Sequence, residues 1–152
     1  MHTLLTAQLE LALKDLSTLV DSGARAIGIF ACRARVYEKL GMMSEAIADY
    51  DTSLSMSPEG NTMNFVGKAN CLRNLGRYSD AIVEYSTVLS KEPTHSLALT
   101  QRGFCWRKLD RFDDAITDYT KIIEQSPRNT RAYNNRAYCF AKLNRFREAV
   151  EV

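Results

Sequence analysis

At 152 residues, 45% hydrophobic and 25% charged, the chain can bury a real core and is too apolar for a disordered protein. A formal net charge of +2 excludes a polycationic tail-like protein, so any preference for an anionic partner must come from where the charges lie. No apolar run approaches the roughly 20 residues of a membrane span. The N-terminus lacks the basic opening of a secretory leader and its leucines are interrupted by Gln8, Glu10, Lys14 and Asp15, which leads us to expect a cytoplasmic chain.

In chain order, Leu9, Leu13, Leu16, Leu19 and Val20 fall on one stripe of period 3.6, predicting a first amphipathic helix within residues 1–26. Paired helices are predicted next, at 28–40 and 44–56, 63–75 and 79–91, 97–109 and 113–125, and 131–143 and 147–152. In the second pair, Phe65, Ala69, Leu72 and Leu75 share one face, as do Ala81, Ile82, Tyr85, Val88 and Leu89 on its partner. Gly41, Gly76, Asp110 and Asn144 mark the turns inside the pairs. Glu45, Asp80, Asp113, Asp114 and Glu148 open the second helices, where acids complement the positive end of the helix dipole. Pro58, Pro93 and Pro127 close the pairs, because proline cannot continue a helix interior.

The pairs are copies of one unit. The dipeptides Ala46-Ile47, Ala81-Ile82, Ala115-Ile116 and Ala149-Val150 are spaced by 35, 34 and 34 residues. Around them the chain reads LGMMSEAIADY, LGRYSDAIVEY, LDRFDDAITDY and LNRFREAVEV. An aromatic or Leu stands at Phe30, Phe65, Leu99 and Tyr133. Four residues on comes a small residue (Ala34, Ala69, Gly103, Ala137), and then Tyr37, Leu72, Trp106 and Phe140. This pattern resembles the tetratricopeptide repeat. The resemblance implies an all-α, right-handed superhelical solenoid of antiparallel helix pairs, with first helices lining the concave surface and second helices the outer one. Residues 1–152 then form one domain: 1–26 as the second half of a repeat, full repeats at 27–60, 62–95 and 96–129, and a truncated repeat at 130–152. With no polar capping helix in view, the C-terminal edge is expected to self-associate or to continue into a longer array.

Charge is segregated between the two helix types. The predicted first helices carry eleven Lys or Arg and one acid, Glu38, whereas the second helices carry three basic residues and eleven acids. Arg33, Lys68 and Arg102 replace the family's usual Leu, and each is followed sixteen residues later by an acid, Asp49, Glu84 or Asp118. These six residues are expected to form ion pairs inside the hairpins. The other candidates for a basic peptide-binding groove are Arg35, Lys39, Asn70, Arg73, Phe104, Arg107, Lys108, Arg131, Asn134, Asn135, Tyr138 and Lys142. Asn and Arg can hydrogen-bond a peptide backbone or a carboxylate, and the two rings offer apolar contact.

Catalytic chemistry has no comparable signature. Cys71, Cys105 and Cys139 recur at intervals of 34, which marks one equivalent position in successive repeats and predicts buried packing, while Cys32 stands outside that register. His2 and His95 sit in no zincin, nucleophile-elbow or deaminase motif, and no phosphate-binding glycine loop is present. We therefore expect no enzyme, cofactor or metal, and a scaffold or adaptor that binds another protein through an extended acidic or C-terminal segment. A branch of the resembling family clamps a chaperone's terminal carboxylate. Its sites fall here on Val66, Asn70, Gln101, Arg131 and Asn135, of which only Asn70 and Arg131 suit the clamp. Single-stranded RNA is the alternative ligand for a basic, aromatic groove, against which stands the absence of a basic tail. A non-catalytic repeat region within a larger regulatory or enzyme protein is the other alternative.

Overall fold

A computed structural model of the chain describes residues 2–59 and 61–150. Among them nine helices follow one another: α1 (His2–Asp21), α2 (Ile27–Lys39), α3 (Met43–Met56), α4 (Thr62–Asn74), α5 (Tyr78–Lys91), α6 (Ser96–Lys108), α7 (Phe112–Gln125), α8 (Thr130–Lys142) and α9 (Phe146–Val150). They form two compact units, α1–α4 within residues 1–76 and α5–α9 within residues 77–152. In each unit a helix packs antiparallel-fashion on the next in sequence. Gly60 at the end of the first repeat, and residues 151 and 152 of the last expected helix, lie outside the described residues.

Each paired helix begins one residue before its expected start, and at α4, α6 and α8 a capping side chain explains the position. Asn61 Oδ1 accepts from the Met63 amide at 3.0 Å, His95 Nδ1 from Ala98 at 3.2 Å and Asn129 Oδ1 from Ala132 at 3.1 Å. Each satisfies an amide that the helix itself leaves open. The turns inside the hairpins share one geometry. After α2 the Met42 amide reaches back to the Tyr37 carbonyl at 2.8 Å and Gly41 to Glu38 at 3.1 Å. The same two bonds recur from Arg111 and Asp110 after α6, and from Arg145 and Asn144 after α8. This double closure requires a left-handed residue at its centre. Gly41 and Gly76 adopt it at φ of 78° and 75°, and Asp110 and Asn144 at 57° and 56°. Asp and Asn are the side chains that tolerate this region best.

Small residues set the helix spacing. Ala34 and Ala46 in the first unit, and Ala98, Ala115 and Ala132 in the second, are wholly or almost wholly buried. Tyr50 and Tyr119 fill the space beside them and press on glycine. A Cβ on Gly67 would stand 2.3 Å from the Tyr50 hydroxyl, and one on Gly103 would stand 2.9 Å from the Tyr119 ring. The second unit's core gathers Leu99, Ala115, Tyr119, Ile122, Ile123, Ala132 and Cys139, with Trp106 and Phe112 packed against it. Cys71, Cys105 and Cys139 are free thiols in these interiors, and burial pushes Cys71 up to about 12 and Cys139 to about 11. Cys32 is exposed.

Two apolar residues depart from their expected stripes. Leu19 is exposed because, among the described residues, α1 packs chiefly on α2 and buries none of its residues completely. Leu75 is exposed because it is the C-cap of α4, already leaving the packed face.

The basic residues at the family's Leu position point between helices. The Arg33 Nε donates to Asp49 Oδ2 at 2.6 Å and its Nη2 to Oδ1 at 2.8 Å, while Nη1 lies 3.5 Å from Ser17 Oγ on α1. In the second unit Arg102 repeats this fork on Asp118 at 2.8 and 2.6 Å, and reaches Ser86 on α5 at 3.0 Å. Arg136 donates to Thr120 on α7 at 3.0 Å. Each guanidinium thus ties its own helix to the second helix before it, and Arg33 and Arg102 also to the one after it. Lys68 makes a bond that the sixteen-residue spacing did not indicate, 2.8 Å to Asp51 on α3.

Candidate basic-aromatic site

On α6, Phe104, Arg107 and Lys108 lie at i, i+3 and i+4 and so share a face. On α8, Arg131, Asn135, Tyr138 and Lys142 form the corresponding stripe, away from buried Ala132 and Cys139. The two faces meet in a pocket of about 120 Å³ lined by Phe104, Arg107, Lys108 and Tyr138. The Arg107 guanidinium lies 4.3 Å from the centre of the Tyr138 ring, and its Nη1 donates to Asn135 Oδ1 at 3.1 Å. Lys142 Nζ stands 5.5 Å from the same ring, and Lys108 Nζ 5.4 Å from that of Phe104. A cation over an aromatic face is held in place by the ring's quadrupole while its N–H groups remain able to meet a ligand.

No acid occurs anywhere on α6 or α8. Arg107, Lys108 and Lys142 form no ion pair among the described residues. Beneath them Tyr119 is buried against Gly103. Burial raises the Tyr119 phenol to about 12, and the nearby Arg107 guanidinium opposes that shift. The Arg107 Nε is likewise shut off from solvent and has no hydrogen-bond partner among the described residues.

Of the twelve groove candidates, Phe104, Arg107, Lys108, Asn135, Tyr138 and Lys142 come together here. Arg131 and Asn135 also line a much smaller recess of about 20 Å³ with Tyr119 and Ile122. Asn134 is exposed on α8 and touches neither cavity. In the first unit, Arg35 and Lys39 are exposed on α2 and Asn70 and Arg73 half-buried on α4. That unit has an acid of its own: Glu38 accepts from the Tyr50 hydroxyl at 2.9 Å, and burial followed by the Glu38 charge raises the Tyr50 phenol far above its ordinary value. Val66, one of the carboxylate-clamp positions, is buried and unavailable to a ligand.

Tyr78 is a member of the site that the sequence pattern did not mark. As the first residue of α5 it meets Phe104 edge-on, with ring centres 6.2 Å apart. Its register with Phe112 and Phe146, each just after a turn, was the available signal.

Helical hairpins of this period, closed by left-handed turns and spaced by buried small residues, define a tetratricopeptide-repeat protein. Residues 33–152 match the family described as Psidin, N-terminal TPR repeats region, and the chain belongs to it. No match is found among curated protein sequences. Solved structures share the fold. A crystal structure of MamA aligns with a TM-score of 0.88 at 15% identity, covering 95% of this chain and 84% of that one. MamA from Desulfovibrio magneticus RS-1 gives 0.85 at 17% identity, covering 94% and 80%. The first TPR of Spaghetti (RPAP3), solved bound to the HSP90 peptide SRMEEVD, gives 0.71 at 21% identity, covering 78% and 93%. Among the described residues no helix is long and apolar enough to cross a membrane.

Proposed function

We propose that the chain is a protein-interaction scaffold that holds an acidic segment of a partner against the α6–α8 face. The observation that carries this reading is the set of three cations, Arg107, Lys108 and Lys142, around Phe104 and Tyr138 on helices without a single acid. Uncompensated positive charge steers an anionic segment to the site, and the rings give it an apolar footing. A pocket of this size, taking one side chain at a time, suits an extended segment. The Spaghetti TPR, which holds an acidic peptide on the same fold, supports a peptide as the ligand class.

Pull-down from a cell extract with the whole chain and with Lys108→Glu/Lys142→Glu tests the proposal. Both lysines are exposed, so the variant keeps its fold. Recovery of a protein by the parent chain, lost in the variant and indifferent to nuclease, is the expected result. Recovery that is unchanged by the two reversals, or abolished by nuclease, would refute it.

A further inference from the structure

Resting on that reading of the α6–α8 face, we propose that its pocket receives a compact dianion, the phosphorylated serine or threonine of a partner protein. The cavity of about 120 Å³ is small. That is room for one headgroup rather than a run of side chains. Two cations, Arg107 and Lys108 on α6, line it, and Lys142 on α8 stands 5.5 Å from the Tyr138 ring that forms its other wall. A phosphate monoester presents three strong acceptor oxygens and a charge of roughly −1.5 to −2, whereas a carboxylate presents two oxygens and a single charge.

The arrangement is also preorganised. Asn135 accepts one N–H of Arg107 and fixes the guanidinium across the Tyr138 ring, so the fork is set before any ligand arrives. An acidic residue near the pocket would repel a dianion more than a monoanion, and none lines it. A nucleic-acid phosphodiester carries one charge on two free oxygens, and thus gains less from a cluster of cations than a monoester does.

Fluorescence anisotropy with the whole chain and labelled nine-residue peptides, identical except for a central Ser, Glu or phosphoserine among neutral residues, tests this. Phosphoserine should bind at least about tenfold more tightly than Glu, with Ser weakest, as expected for a second charge met by several donors. Lys108→Glu and Lys142→Glu should each abolish that preference while leaving the helical circular dichroism and its thermal melt unchanged. Equal binding of the Glu and phosphoserine peptides overturns the dianion and leaves the acidic-peptide reading standing, and so does binding of a tetraglutamate peptide alone. Silence from every peptide, tetraglutamate included, overturns both. Tighter binding of oligouridylate than of phosphopeptide overturns it in favour of nucleic acid.

Discussion

Replacing Asp118 by alanine removes a carboxylate that is 1% exposed and that receives both arms of the Arg102 fork, whose own side chain is 18% exposed. What remains is a guanidinium facing only the Ser86 hydroxyl, with two desolvated N–H groups. Breaking one side of a buried pair costs about 3–5 kcal/mol, because the surviving charge has lost its solvent and its partner. That is a large fraction of the ~5–15 kcal/mol that holds a domain folded. Arg102→Met should cost at least as much, since Asp118 is the more deeply buried of the two. The pair itself contributes far less than either loss suggests. Arg102→Met/Asp118→Leu, which removes both charges and restores apolar volume, should lie within about 1–2 kcal/mol of the parent. Urea unfolding read by the single tryptophan, Trp106 on α6, reports on this unit directly. A double variant as damaged as the sum of the singles, or an Asp118→Ala midpoint within about 1 kcal/mol of the parent, would refute the reasoning.

Gly67→Ala should destabilise by about 1–3 kcal/mol despite its better helix propensity, because the new methyl would overlap the Tyr50 hydroxyl; chemical denaturation checks it, and a gain in stability would contradict the close approach. Asp110→Gly should raise stability by up to about 1 kcal/mol, since glycine takes the left-handed φ of 57° without strain, whereas Gly76→Ala should cost a similar amount. A thiol reagent at pH 8 should modify Cys32 rapidly and Cys71 and Cys139 only on unfolding. Between pH 9 and the folded values of about 12 and 11, the unfolded chain sheds thiol protons that the folded chain keeps. Stability must then fall as pH rises through that window, and a urea midpoint higher at pH 10.5 than at pH 8.5 would show the sign to be wrong.

The repeat, the turns and the two Arg–Asp forks were legible in the sequence because each rests on spacing along one or two neighbouring helices. A small residue thirty-four positions from its copy, or an acid sixteen beyond an arginine, is a local fact that survives folding unchanged. Asp110 and Asn144 could stand in for glycine in the register of Gly41 and Gly76 for the same reason. The site was legible only as a set of twelve candidates. Which of them gather depends on packing that a period does not encode: Tyr138 reaches across to Arg107, Tyr78 arrives from α5, and Asn134 turns aside one residue from Asn135. Lys68 has a bond to Asp51 that the sixteen-residue spacing does not mark. Leu19 and Leu75 were misplaced because an amphipathic stripe says where a face could pack and not where its neighbour ends.

Position along the first helix decides what a basic residue does. Arg33 and Arg136 each lie between an aromatic three residues before and another four residues after, with guanidinium-to-ring distances of 5.7–5.9 Å. Those rings exclude water on either side, so the charge is directed into the seam between hairpins, where Asp49 or a Thr120 hydroxyl receives it. Arg107, Lys108 and Lys142 come at the end of the helix, a turn or more later, where the C-terminal dipole favours a cation and the neighbouring side chains are Phe104 and Tyr138 rather than acids. The eleven basic residues of the first helices therefore overstate the charge available to a ligand. In the second unit that charge narrows to the helix ends, and a partner is selected by what fits there.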